Sequence, residues 1–199
     1  MRNLILKMSV SVDGFVGGPN GELDWIFRSL DKDATAWTME NVWRAGVHIM
    51  GSRTFRDMAA HWPFSAEVFA APMNEIPKVV FSTSKFVNPA GSTPAEATWA
   101  AARVARGDLA GEIGRLKQEP GKEIMAHGGA GFARSLVRLG LVDEYRLLIH
   151  PVALGSGLGL FSSLARLIWA WPPSAVSCRL PSAPLISRIK FVPRERPPR

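Results

Sequence analysis

Cysteine is almost missing from this chain: among 199 residues there is one, Cys178. A single thiol excludes an intramolecular disulfide and any zinc site built from several cysteines. Because disulfide-rich folds belong to oxidising compartments, this composition favours a reducing one, and we expect the protein to be cytoplasmic. His48 and His61 lack partners at metal-ligand spacing, so the sequence predicts no metal site.

Long apolar runs are missing as well. The N-terminal segment MRNLILKMSV is interrupted by Lys7 and is too short for the core of a signal peptide. The longest stretch without Asp, Glu, Lys or Arg covers residues 147–165, but it contains Pro151 and three glycines, which argue against a membrane-spanning helix. The sequence therefore predicts neither secretion nor a membrane partner.

Acidic residues are scarce in one part of the chain. Residues 164–199 hold seven lysines and arginines against one glutamate, whereas residues 1–163 hold 17 basic and 16 acidic residues. The net charge of +7 is thus concentrated in a tail that also contains seven of the 15 prolines. A basic chain raises the question of nucleic acid, but this tail has no aromatic residues interleaved for base stacking. We therefore predict no nucleic-acid partner.

The remaining composition is that of one folded domain with alternating strands and helices. Hydrophobic residues make up 47% and charged residues 21% of the chain, which is ordinary for a globular protein. Apolar, β-rich segments are predicted to form strands at 3–12, 47–50, 78–81, 98–104, 123–126 and 144–150. Helices are predicted within 26–45, from 53, at 108–118 and at 132–139. This alternation is typical of an α/β fold.

Three predicted strands end in turns of small residues, HIMGSRT (48–54), VVFSTSK (79–85) and IMAHGGAGF (124–132). In open α/β sheets ligands bind outside the carboxyl ends of parallel strands, so three such ends predict one shared cleft. The glycines of the third turn would let backbone amides approach a phosphate at the start of the following helix. Each turn alone is equally typical of an ordinary strand-to-helix connection, and the hypothesis depends on their repetition.

Together with SVDGFVGG, DW and LGLVDEYRLLIHPVALGSGLGLF, these segments resemble the dihydrofolate-reductase-like superfamily. They are most similar to the C-terminal reductase domain of riboflavin-pathway deaminase-reductases and its stand-alone bacterial relatives. The resemblance covers about residues 3–163. It implies a three-layer fold with a mixed, mainly parallel central sheet flanked by helices, NADPH as cofactor, and a homodimer. A bifunctional form is excluded, because the zinc deaminase signature needs more than one cysteine.

The resemblance also implies where the cofactor and substrate would bind. Gly51, Arg53, Thr54, Ser82, Thr83 and Ser84 would hold the adenosine phosphate side, and Gly128, Gly129, Ala130 and Gly131 would hold the pyrophosphate. Asp13, Val16 and Trp25 would lie at the substrate, with Asp24 as a candidate proton donor. Ser52 departs from the pattern, since dihydrofolate reductases usually have an arginine there. The acidic residue of the first helix in true dihydrofolate reductases also has no clear match.

The tail is the largest departure. The family normally ends in an antiparallel hairpin, whereas the prolines of 164–199 are expected to break any such ladder. We therefore predict a reductase domain over 1–163 and an atypical Pro/Arg-rich tail over 164–199. A single-base frameshift near Ala165 is one hypothesis for this tail, and a genuinely divergent basic arm is the other.

The resemblance implies a reductase that transfers a hydride from NADPH to a small heterocycle. The resemblance favours a 5-amino-6-(5-phosphoribosylamino)uracil reductase-like or dihydrofolate-reductase-like activity. Two alternatives stay open: a reductase of another small molecule, and a nucleotide-binding relative with impaired catalysis.

Overall fold

The computed structural model describes residues 1–162 together with the backbone of residues 177–178 and 185–190. Its strands are β1 (Leu4–Ser11), β2 (Ala45–Gly51), β3 (Lys78–Phe81), β4 (Arg103–Ala105), β5 (Glu123–Ala126), β6 (Glu144–His150), β7 (Ser177–Cys178) and β8 (Leu185–Lys190). Its helices are α1 (Asp24–Arg28), α2 (Lys32–Trp43), α3 (Ser52–His61), α4 (Ala70–Glu75), α5 (Pro94–Ala100), α6 (Leu109–Gln118) and α7 (Ala130–Arg138), with a 3₁₀ helix at Trp62–Phe64. No helix within these residues is long and apolar enough to cross a bilayer.

One sheet runs through the molecule in the order β4-β3-β2-β5-β1-β6-β8-β7. Every pairing from β4 to β6 is parallel, and β8 joins β6 in antiparallel orientation. The predicted α/β fold with a mixed, mainly parallel sheet is therefore confirmed. Because six strands are parallel, their carboxyl ends all lie at the same edge of the sheet.

Strand alternation divides the core into two apolar layers. On β1, Leu4, Leu6, Met8 and Val10 face one side, where they join a cluster that includes residues of α6 and α7. The opposite side has a second cluster formed with α2, α3, α4 and α5, in which the fully buried Phe55 and Trp99 are the largest side chains. Helices thus cover both faces of the sheet, which completes the three layers.

The strand predicted at 98–104 is wrong in its first half, because α5 continues to Ala100 and β4 begins only at Arg103. The helix start explains this. The Thr93 hydroxyl accepts a hydrogen bond from the Glu96 amide at 3.3 Å, the Glu96 carboxylate accepts one from the Thr93 amide at 2.9 Å, and Pro94 occupies the first turn. This capping box determines the local structure despite the β-forming Thr98 and Trp99.

The expectation that prolines break any ladder in the tail is also wrong for β7 and β8. Six residues of β8 pair with β6, from Glu144 opposite Lys190 to Ile149 opposite Leu185, and β7 pairs with β8. The seven prolines of 164–199 all lie outside these two strands in the sequence, so neither ladder loses a donor. The domain boundary at 163 and the frameshift hypothesis stay predictions.

A buried arginine joins three neighbouring strands on the α2–α5 side of the sheet. Arg146 on β6 is fully buried, and its Nε donates to Glu144 at 2.8 Å. Its two terminal nitrogens donate to the two carboxylate oxygens of Glu123 on β5, each at 2.8 Å. Since β1 lies between β5 and β6, this paired geometry holds all three strands together.

Arg146→Met is expected to lower the free energy of unfolding by about 3 kcal/mol, because it removes the buried guanidinium that pairs with both Glu144 and Glu123. Arg44 is a matched control: it pairs with the same Glu123 at 3.1 Å, but its side chain is 43% exposed. Arg44→Met should cost less than about 1 kcal/mol. Urea unfolding measures both values, and equal costs would contradict this account.

Three buried histidines lie on the same side of the sheet. Burial lowers the pKa of His127 to about 3 and of His150 to about 4, and it holds the pKa of His48 well below its usual value. Nearby lysine charges lower all three further. The rings of His48 and His127 contact each other with centroids 4.4 Å apart. These histidines are therefore neutral in the folded protein at neutral pH.

The free energy of unfolding should fall as the pH is lowered from 7 to 5. The unfolded chain takes up protons on these histidines near pH 6.5 and the folded chain does not, which costs roughly 2 kcal/mol per histidine at pH 5. His48→Met is expected to reduce this slope, because it removes one of the three histidines that stay neutral in the folded protein. Denaturation series at several pH values measure the slope. An unchanged slope in His48→Met would show that His48 is not a source of it.

Candidate functional site

A cleft of about 1370 Å³ opens at the carboxyl edge of the sheet. Its wall includes Gly51, Phe81, Ala105 and His127, which stand at or just after the ends of β2, β3, β4 and β5. These strands are neighbours in the parallel sheet, so their carboxyl ends lie together and line one cleft, which is the shared cleft expected from the three small-residue turns. The volume exceeds the 300–1,000 Å³ of a usual small-molecule pocket, and the cleft therefore has room for two ligands side by side.

The turn from β2 into α3 supplies one part of the wall. Gly51 precedes the helix, and a Cβ at this position would meet the Phe132 Cβ at 3.3 Å, so a glycine allows the close approach of α7. Arg53 is exposed and Thr54 is half-buried, and both line the cleft. The structure thus brings all three predicted residues of this turn to the cleft.

The turn from β5 into α7 lies beside it. Gly129 has φ of +79°, and a Cβ there would come within 2.5 Å of the Thr54 hydroxyl oxygen, so this position requires glycine. No side chain caps the start of α7, whose first amides therefore stay open. Gly128, Gly129, Ala130 and Gly131 all line the cleft, as predicted.

The turn after β3 contributes two of its three predicted hydroxyl residues. Ser82 and Thr83 line the cleft, and Ser84 does not. The Ser82 hydroxyl donates to the Ser84 carbonyl at 3.1 Å, so this turn is closed by its own hydrogen bond. Thr83 is exposed, which leaves its hydroxyl available to a ligand.

Asp13 connects two loops and lies outside the cleft wall. Its carboxylate accepts hydrogen bonds from the Ser11 hydroxyl at 2.6 Å and from the amides of Leu154 and Gly155 at 3.0 and 2.7 Å. These bonds hold the pKa of Asp13 below its usual value. Val16, three residues later, is buried and does line the cleft. The structure therefore gives Asp13 the position of a loop anchor and Val16 that of a wall residue.

Asp24 and Trp25 also stand away from the cleft wall. The Asp24 side chain is 68% exposed and pairs with Arg28 at 3.7 Å. Trp25 is buried, and its Nε1 donates to the Glu22 carbonyl at 3.1 Å. Its ring is nearly perpendicular to the His150 ring, and the two ring centroids are 5.2 Å apart. The residues around them in sequence, Leu23, Ile26 and Phe27, line the cleft instead. Trp25 thus fixes α1 to the sheet, and nothing in the structure brings Asp24 to a ligand in this cleft.

Lys7 is a cleft residue that the sequence reasoning missed. It lies in the middle of β1, is half-buried, and lines the cleft with Ser9. Desolvation lowers its pKa to about 8, and the described residues give it no ion pair. A signal was present in the sequence: strand alternation sets Lys7, Ser9 and Ser11 on the face opposite to Leu6, Met8 and Val10.

Comparison with known proteins shows the family. The profile of the RibD C-terminal domain matches residues 2–167. An uncharacterized protein of Bacillus subtilis, YyaP, is 34% identical over 160 residues, which is 80% of each chain.

Solved structures share the fold. A putative riboflavin biosynthesis protein from Shewanella sp. PV-4 aligns with a TM-score of 0.67 at 20% identity, over 96% of this chain and 99% of its own. A dihydrofolate reductase from Enterococcus faecalis, complexed with NADP(H) and RAB-propyl, aligns with a TM-score of 0.58 at 14% identity, over 94% of this chain and 92% of its own. The dihydrofolate-reductase-like fold is thereby confirmed. With a profile match over most of its length, the chain belongs to the RibD C-terminal domain family.

Proposed function

We propose that this protein is an NADPH-dependent reductase that transfers a hydride to a small planar heterocycle. One observation carries the proposal. Helices α3 and α7 each begin after a glycine-containing turn, and the residues of both turns line the same large cleft. Helix starts with free amides favour the phosphates of a dinucleotide. Membership of the RibD C-terminal domain family and the NADP(H) named with the Enterococcus structure support the same cofactor.

The cleft residues fit such a dinucleotide. A Cβ on Gly128 or Gly131 would meet no atom within 4 Å, so both backbones face open space that a pyrophosphate can fill. Arg53 provides a guanidinium and Thr83 an available hydroxyl for the additional phosphate that distinguishes NADPH from NADH, and Ser82 lines the cleft beside them.

A bound NADPH would supply the hydride, and the protein would supply orientation and a proton. We assign that proton to Lys7, because Lys7 lines the cleft and its pKa of about 8 leaves it mostly protonated at neutral pH but able to release the proton. Asp24 lacks that placement.

Family membership favours a 5-amino-6-(5-phosphoribosylamino)uracil-like substrate. One solved structure with the same fold is a putative riboflavin biosynthesis protein, which supports this candidate. A reductase of another heterocycle, or a binding protein with impaired catalysis, would share the same cofactor turns. A homodimer stays a prediction from the resemblance.

Gly128→Ala is expected to weaken NADPH binding at least tenfold while leaving stability unchanged, because the added methyl meets no protein atom but enters the proposed pyrophosphate position. Gly114→Ala is the matched control: its Cβ is equally unobstructed, but Gly114 lies on α6 away from the cleft wall. Quenching of tryptophan fluorescence by NADPH and NADH measures both affinities. Failure of the folded protein to bind either nucleotide would overturn the proposed function.

Lys7→Met is expected to lower kcat at least tenfold and to leave NADPH affinity nearly unchanged. In the wild type, activity should decline as the pH rises through about 8, because Lys7 then loses its proton, and the variant should lack this decline. The pH dependence of NADPH oxidation with an accepted heterocycle measures both effects. A variant that keeps the alkaline decline would assign the proton to another group.

A further inference from the structure

The cleft wall continues beyond the turns that follow β2, β3, β4 and β5. The remaining described part comes from β1, the loop and helix that follow it, α2, β6, and the segment from Asp57 on α3 to Met73 on α4, and we call it the β1 half. If the glycine turns hold the cofactor, this half holds the substrate.

The charges of the β1 half do not suit a phosphate. Among its described residues, Lys7 is the single lysine or arginine, while Asp57 and Glu67 contribute two carboxylates. His61 is already paired with Glu67 at 3.1 Å. Phosphate monoesters are recognised by arginine forks or several cations, so a dianion here would meet more repulsion than attraction.

Helix starts offer no substitute for those cations in the β1 half. The Asp31 carboxylate accepts a hydrogen bond from the Ala34 amide at 2.8 Å and thus already caps α2. The other helices that begin at this wall, α1 and α4, have five and six residues, and α1 starts with the acidic Asp24. An anion would therefore find no open end of a long helix in this half.

Apolar and aromatic surface dominates the same wall. Phe27 lines the cleft with 69% of its surface exposed, and Leu23 with 47%. Trp62 and Phe69 stand on the segment opposite, with ring centroids 6.4 Å apart. Large apolar side chains left open around a cleft indicate a ligand that covers them, and aromatic rings favour a flat partner.

We infer that the substrate is a planar, mainly apolar heteroaromatic compound that carries no phosphate. The inference rests on the proposed function and specifies the substrate class of the same site. Lys7, on β1, supplies the proton to the substrate ring. The negative charges of Asp57 and Glu67 repel phosphorylated compounds and so exclude them. The favoured substrate therefore differs from the phosphoribosyl pyrimidine of the riboflavin pathway.

Riboflavin and its 5′-phosphate, FMN, test this directly, because they differ only in the phosphate. Their binding to the full chain saturated with NADP⁺ is followed by fluorescence anisotropy of the flavin. Riboflavin is expected to bind at least tenfold more tightly than FMN. Glu67→Gln should reduce that ratio severalfold, whereas Glu75→Gln, the same change at an exposed residue outside the cleft wall, should not.

A second pair of variants tests the apolar wall. Phe27→Ala should weaken riboflavin binding at least fivefold, and Val87→Ala, at an apolar residue 79% exposed and outside the cleft wall, should leave it unchanged. Circular dichroism and NADP⁺ affinity check that each variant is folded.

The outcomes separate the two proposals. FMN binding as tightly as riboflavin, with NADP⁺ bound, overturns the inference about the substrate and leaves the reductase proposal in place. Binding of neither flavin to the NADP⁺ complex also overturns it, because the apolar wall then does not accept a planar ring. Absence of NADP⁺ binding overturns the proposed function, and the inference fails with it.

Discussion

The ion cluster of Arg146, Glu123 and Glu144 is the constraint on which the cleft depends. Both glutamates are the first residues of their strands, so the cluster secures β5, β1 and β6 at their amino ends. The cleft opens at the opposite ends of the same parallel strands. The ion pairs that hold the sheet together therefore lie at one edge, and the polar groups that must stay available to a ligand lie at the other.

The two faces of the sheet carry different kinds of side chain. The face toward α6 and α7 is built from apolar side chains, most of them aliphatic, as the alternation on β1 from Leu4 to Val10 illustrates. The face toward α2 to α5 carries Lys7, His48, Lys78, His127, Arg146 and His150 among its apolar residues. Burying so many basic groups costs stability, and the lowered pKa values of the two lysines and three histidines express that cost. Such a cost is typical of a face that also serves a functional site.

The sequence alone predicts the α/β class, five of the six parallel strands and the glycine turns, because strand alternation and small-residue strand ends are local signals. It fails where the answer depends on neighbours in space. The direction of Asp24 depends on how Trp25 docks α1 against His150, which no periodicity in a five-residue helix can indicate. The hydroxyls after β3 predict Ser84 at the ligand, although its backbone closes the turn with Ser82. Lys7 interrupts an apolar run in the sequence, and its position on β1 sets it in the cleft.

The placement of the proposed proton source has a consequence for how such proteins diversify. Lys7 lies on the central part of the sheet, between β5 and β6, whereas the proposed substrate wall is formed largely by a loop, the short helix α1 and the segment around Trp62. Substitutions in those peripheral segments can change which compound is accepted without disturbing the strand that bears the lysine. In evolutionary terms, this arrangement would let related proteins change the substrates they accept while they keep the same proton donor.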